Sequence, residues 1–151
     1  MFIIIIFDNM RNVSKMFFLH ALMNTFCFNL SFAQPNLEVM RQLIFDKTNL
    51  LRYEKGLPKL IKLDSLMDLA QLHSENMVKH DFYAHVDHLG RNPVERAEKF
   101  KLKAWVRRGN QFTGIAENIA KTPWFENVSG CGDTRTEEDL TNCMVIGWKN
   151  S

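Results

Sequence analysis

The sequence predicts an α+β domain in which helices dominate and strands are short. Four segments between residues 36 and 151 carry helical spacing or helix-start signals, whereas at most two short segments could form strands. The 151 residues suffice for one domain, and the chain has no internal repeat or low-complexity segment. We therefore expect one α+β domain with a small sheet.

The first helix is predicted over residues 36–55. Asn36 can cap its start, and Gly56 followed by Pro58 ends it. Residues 57–63 then form a short connector. The apolar face of this helix comprises Leu37, Met40, Ile44 and Leu51.

The second helix is predicted to begin near Asp64 or Ser65. Two of its histidines, His73 and His80, lie seven residues apart on its inner stripe, which could suggest metal ligation. Histidines on an apolar stripe are more often core or boundary residues, and we interpret them so. The whole stripe comprises Leu66, Leu69, Ala70, His73, Met77 and His80.

Two further helices have clear start signals. Asn92, Pro93 and Glu95 predict a capped third helix that ends near Phe100, and residues 101–110 could be a loop or a first strand. The segment Thr134-Arg135-Thr136-Glu137 resembles a capping box and predicts a fourth helix. The chain ends in that helix without a stop signal, so we expect that a C-terminal part is missing.

The N-terminal segment has the features of a secretory signal peptide. Arg11 and Lys15 precede an apolar stretch at residues 16–30, and Ser31-Phe32-Ala33 resembles a cleavage site. Polar residues interrupt the apolar stretch, which makes it a poor transmembrane helix. We therefore assign residues 1–33 to a signal peptide and expect an extracellular or periplasmic protein without stable membrane insertion.

Charge and cysteine content limit the function classes further. The formal net charge is +2, and removal of residues 1–33 leaves a nearly neutral chain, which gives no reason to expect nucleic acid as a partner. Cys131 and Cys143 are then the remaining cysteines. An even pair in a secreted protein can form a disulfide, and two free thiols are the alternative.

The most informative side chains are His85 and Glu117. A loop histidine and a carboxylate in an apolar run are what a buried acid–base or metal site requires, because the carboxylate can orient the imidazole or share a cation with it. The alternatives are a loop histidine bonded to backbone and a structural carboxylate receiving N–H bonds. His88 has HxxH spacing with His85, but Asp87 and Gly90 indicate a turn. No serine or cysteine nucleophile is placed beside a base, so covalent catalysis has no support.

The chain resembles the CAP superfamily, which groups cysteine-rich secretory proteins, antigen 5 and pathogenesis-related proteins and is also called the SCP domain. The resemblance is to its bacterial secreted form, and the matching blocks keep the family order over residues 37–151. They include Lys55-Gly56-Leu57-Pro58-Lys59-Leu60, His73-Ser74-Glu75-Asn76-Met77, Asp81-Phe82-Tyr83-Ala84-His85, Pro93-Val94-Glu95-Arg96-Ala97, Ala116-Glu117-Asn118-Ile119-Ala120 and Trp148-Lys149-Asn150-Ser151.

The resemblance implies an α-β-α sandwich whose cleft holds two histidines and acidic residues, which bind zinc or another divalent cation in several members. His85 matches the first histidine and Glu117 the glutamate. The second histidine would follow Ser151, so the candidate metal ligands His85 and Glu117 form an incomplete set, and residues 34–151 form a partial CAP/SCP domain that lacks the last strands of the sheet.

Three hypotheses on function follow from these observations. The first is a secreted binding module whose cleft takes a lipid, a peptide or a cell-wall component. The second is a metal-dependent hydrolase in which His85 and Glu117 activate water. The third is a fragment of a longer CAP protein without activity of its own.

Overall fold

The computed structural model describes the backbone of residues 2–7 and the whole of residues 34–151, apart from the side chain of Arg108. These residues form four helices and six short strands, which confirms the α+β class. The helices are α1 (Leu37–Glu54), α2 (Asp64–Lys79), α3 (Pro93–Lys99) and α4 (Glu137–Lys149). The strands are β1 (Phe2–Phe7), β2 (Trp105–Arg108), β3 (Gln111–Gly114), β4 (Ala116–Lys121), β5 (Asn127–Val128) and β6 (Gly132–Asp133).

The strands form three separate two-stranded sheets. β1 runs parallel to β4, with Phe2 opposite Ala116 and Phe7 opposite Lys121, whereas β2–β3 and β5–β6 are antiparallel hairpins. The expectation of at most two strands was wrong. Strands of two to four residues, as in both hairpins, are too short to produce a readable alternation of apolar and polar side chains.

Helix α1 begins where the sequence predicts. The Asn36 side chain accepts hydrogen bonds from the backbone N–H groups of Glu38 and Val39, which satisfies two donors that a helix start leaves unpaired. Met40 and Ile44 are fully buried. They belong to a core cluster that joins α1 to β4 and α4 and also contains Ala120, Leu140, Met144 and Val145.

Helix α2 supplies a second core cluster. Its Leu66, Leu69, Ala70 and Met77 pack with Ala97 of α3 and with Ala104. His73 is buried among them, as expected for a core histidine. The assignment of His80 to the inner stripe was wrong: it is the C-cap residue, exposed, where the helix has ended and no longer follows helical spacing.

The start of α4 differs from the predicted capping box. Thr136, not Thr134, is the N-cap residue, and its hydroxyl accepts from the backbone N–H of Asp139. Thr134 is fully buried and bonds the backbone N–H and C=O of Glu126 instead. Each threonine has an acidic residue three positions later, Glu137 or Asp139, but the contacts of Thr134 with Glu126 leave Thr136 as the cap.

A disulfide joins the second hairpin to α4. Cys131 lies between β5 and β6, Cys143 lies on α4, and their Cα atoms are 5.2 Å apart. The link fixes a hairpin whose strands have only two residues each to a helix that packs on β4.

The predicted signal peptide, residues 1–33, falls mostly outside the described residues, which exclude Met1 and residues 8–33. Strand β1 lies inside the predicted signal peptide and pairs with β4 in the uncleaved chain. Cleavage itself stays a prediction. Among the described residues, no helix combines the length and apolar character needed to cross a bilayer.

Candidate functional site

The structure brings His85 and Glu117 together. Nδ1 of His85 lies 2.8 Å from Oε1 of Glu117, although the residues are 32 positions apart in sequence. Glu117 is on β4, and its side chain is 2% exposed, whereas that of His85, in the loop after α2, is 53% exposed. The pair therefore has a buried acidic end and a solvent-facing basic end.

Arg96 completes the buried end of this pair. Its Nη2 donates to Oε2 of Glu117, and its side chain is only 7% exposed. Its Nη1 donates to the backbone oxygens of His85, at 2.6 Å, and Arg91, at 3.1 Å. Because burying a bare carboxylate is very costly, this guanidinium is what allows Glu117 to lie inside the protein. The same side chain holds the loop that carries His85.

Helix α3 positions Arg96. Asn92 accepts a hydrogen bond from the backbone N–H of Glu95, and the Glu95 side chain accepts one from the backbone N–H of Asn92, so the predicted capping box is confirmed. This box fixes the start of a seven-residue helix whose inner face presents Ala97 to the core and Arg96 to Glu117.

The hydrogen bond to Glu117 selects the tautomer of the His85 ring. An ionised carboxylate only accepts hydrogen bonds, so the neutral imidazole carries its proton on Nδ1 and a lone pair on Nε2. Within residues 34–151, Nε2 of His85 makes no hydrogen bond. An oriented, half-exposed nitrogen base is therefore available to a molecule that approaches from solvent.

His73 lies on the buried side of this pair. Its Nε2 donates to the backbone oxygen of Ala84 at 3.0 Å and lies 4.0 Å from Oε1 of Glu117. Burial and the nearby Arg96 guanidinium lower the pKa of His73 below its usual 6.5, against the opposite influence of the Ala84 oxygen and the Glu117 carboxylate. The ring is therefore neutral at physiological pH, and it anchors the loop at the residue before His85.

The turn after His85 is held by Asp87. Its carboxylate accepts from the backbone N–H groups of Leu89 and Arg91 and from Nε of Arg91, at 2.7–2.9 Å. Burial alone would raise the pKa of Asp87, but these hydrogen bonds and the Arg91 charge outweigh it and lower that pKa to about 2. The turn indicated by Asp87 and Gly90 is confirmed by the bond from Gly90 N–H to the Asp87 oxygen.

The two other histidines of residues 34–151, His80 and His88, lie away from the pair. His88 stacks on His80 with ring centroids 3.7 Å apart, and its Nδ1 lies within hydrogen-bonding distance of the Asn76 amide. His88 thus belongs to the end of α2 and not to a shared site with His85.

These residues do not fit a zinc site as they stand. His85 offers one free nitrogen, both oxygens of Glu117 are engaged by His85 and Arg96, and Nε2 of His73 is engaged by Ala84. No cluster of three or more histidine, cysteine, aspartate or glutamate side chains suited to a metal occurs among the described residues. A stable zinc site normally needs at least three protein ligands.

Sequence reasoning missed Arg96 and the Asp87–Arg91 pair. A signal for Arg96 was present, because it lies two residues after Val94 and directly before Ala97 on a short helix whose other inner residues are apolar. A basic side chain on such a face requires a buried anion, and Glu117 was the one acidic residue already expected to be poorly solvated.

No family model, no curated protein and no solved structure matches this chain. The resemblance to the CAP superfamily therefore remains a prediction from the sequence blocks.

Proposed function

We propose that the chain is a secreted CAP/SCP-type binding module that takes an extracellular ligand in a cleft containing His85 and Glu117. The observation that carries the proposal is the 2.8 Å hydrogen bond between these residues, with its carboxylate buried and its imidazole half exposed. The family resemblance implied that these two residues share a cleft, and their proximity supports it.

The site suits a ligand that donates a hydrogen bond. Nε2 of His85 presents a lone pair to an incoming hydroxyl or amide N–H, groups that cell-wall glycans, peptides and many lipids carry. One such bond contributes about 0.5–1.5 kcal/mol, so neighbouring surface must add to the affinity. Tyr83 and Val86 flank His85 and are both exposed, and they offer apolar area next to the polar contact.

A binding experiment on labelled protein tests this proposal. Peptidoglycan fragments, a short peptide and lysophospholipid micelles would be titrated while the histidine ring signals are followed by NMR. We expect one of these probes to shift the His85 signals saturably and His85→Ala to abolish the effect. His88→Ala is the matched control, because this exposed loop histidine lies outside the pair. Absence of a saturable shift with all three probes would contradict the proposal.

A second candidate is hydrolysis with water as the nucleophile, in which Nε2 of His85 accepts the proton. The carboxylate–imidazole arrangement favours it, because Glu117 would stabilise the imidazolium that forms. The side chains in place do not supply a complete zinc centre, so no step is assigned to a metal. Release of product from any probe that binds, lost in His85→Ala, would separate this activity from binding alone.

A further inference from the structure

A cavity of about 390 Å³ lies beside the His85–Glu117 pair, between α2 and α3. This volume falls in the range of about 300–1,000 Å³ that is usual for small-molecule sites. His73 and Arg96 contribute to its wall, but neither His85 nor Glu117 does. The cavity is thus a neighbour of the candidate site with its own lining.

One part of the lining is apolar and open to solvent. Leu69 is buried, whereas Leu72 and Phe100 are 48% and 41% exposed although both are large apolar side chains. Two such residues on the wall of one cavity offer a surface that a compact apolar group can cover, with release of ordered water.

The charges of the lining leave one cation uncompensated. Arg91 lies 2.7 Å from Asp87, whose lowered pKa keeps that carboxylate ionised, and Arg96 is paired with Glu117. Lys99, the third cation of the lining, forms no ion pair with any residue in the described part of the chain. The cavity therefore has an excess of one positive charge beside its apolar surface.

We propose that this cavity binds a small carboxylate with a compact apolar body. The carboxylate pairs with Lys99, and the apolar body covers Leu72 and Phe100. A monoanion matches the single excess charge, whereas a cation would be repelled and a dianion would retain an unpaired charge. This site does not depend on the ligand of His85.

Phenylacetate is a suitable probe, with 2-phenylethanol and phenethylamine as neutral and cationic molecules of similar size. Titrations of the full labelled chain, followed by amide NMR, should give saturable shifts around α2 and α3 with phenylacetate. We expect clearly weaker binding of the alcohol and none of the amine. Lys99→Gln should weaken phenylacetate binding about tenfold or more, because a charge-assisted hydrogen bond is lost. Lys103→Gln, a change at an exposed lysine outside the cavity, should have no effect.

Two further variants separate this site from the His85 pair. Leu72→Ala should weaken phenylacetate binding, since it removes exposed apolar surface without touching the core, and His85→Ala should leave it unchanged. The proposal is overturned if millimolar phenylacetate gives no saturable shift or if the three probes bind equally. It is also overturned if His85→Ala abolishes binding while Lys99→Gln does not.

Discussion

Arg96 makes several of the contacts that build this site, although it lies on a helix of only seven residues. It neutralises the buried Glu117 carboxylate and donates to the backbone oxygens of His85 and Arg91, so one side chain joins β4, α3 and the loop. Removal of one partner from such a buried pair is strongly destabilising, because it leaves the other partner charged and unsolvated.

Replacement of Arg96 by methionine should therefore lower the free energy of unfolding by about 3–5 kcal/mol. Urea denaturation of the purified protein would measure it. Arg135→Met is the control, since Arg135 pairs with Asp133 at the surface, where an ion pair contributes at most about 1 kcal/mol. Equal effects of the two changes would show that the Arg96–Glu117 pair has no special role.

Asp87 gives the fold a predictable loss of stability in acid. Its pKa is about 2 in the folded protein against an ordinary value of 3.8. The folded state therefore holds the proton less tightly than the unfolded chain, and the stabilisation is present above the unfolded value and lost as the pH falls toward 2. At neutral pH it amounts to about 2 kcal/mol, and about half of this disappears by pH 3.

Asp87→Asn should remove this contribution. We expect the variant to be less stable than the original chain near neutral pH and the difference to shrink as the pH is lowered to 3. Unfolding free energies from urea titrations at both pH values would test it. A difference that does not vary with pH would mean that the Asp87 charge contributes nothing.

The elements with strong local signals were predictable from sequence. Asn36 starts α1, and the box of Asn92 and Glu95 starts α3, because both caps use contacts within four residues. The Thr134 cap was mispredicted because the choice between Thr134 and Thr136 depends on contacts of Thr134 with Glu126, eight residues away. The hairpins were missed because their strands are too short for a periodic signal.

The disulfide should matter most for the hairpin that it anchors to α4. The β5–β6 hairpin has two residues in each strand, and the link from Cys131 to Cys143 spans 12 positions. Closure of a loop of this length contributes about 2–4 kcal/mol. Replacement of both cysteines by serine should lower the melting temperature, and reductant should then have no further effect. A free thiol at Cys131 or Cys143 in the folded native chain, located by alkylation and mass spectrometry, would contradict the link.

The least predictable feature of the fold is the strand that pairs with β4. The sequence indicated that Glu117 lies in a poorly solvated run at residues 115–119, but the parallel strand beside it comes from Phe2–Phe7. A pairing over more than a hundred residues leaves no local trace in the sequence. For the same reason the approach of His85 to Glu117 was an expectation drawn from a family resemblance and not from spacing.

The predicted signal peptide has a direct consequence for this sheet. Basic residues, an apolar stretch and Ser31-Phe32-Ala33 occur in order, so the exported protein should begin at or near Gln34. Cleavage there would remove β1 and leave one edge of β4 open to another strand. Mass spectrometry of the exported protein would decide it, and an intact terminus at Met1 would rule the cleavage out.

The candidate site depends on a buried Glu117 that sets the tautomer of the exposed His85 ring. Long-range ¹H–¹⁵N NMR of the histidine rings measures this most directly, at a pH where the rings are neutral. We predict that His85 carries its proton on Nδ1 and a lone pair on Nε2, and that Glu117→Gln weakens this preference. A neutral His85 ring with its proton on Nε2, or one that does not respond to Glu117→Gln, would show that Glu117 does not orient His85.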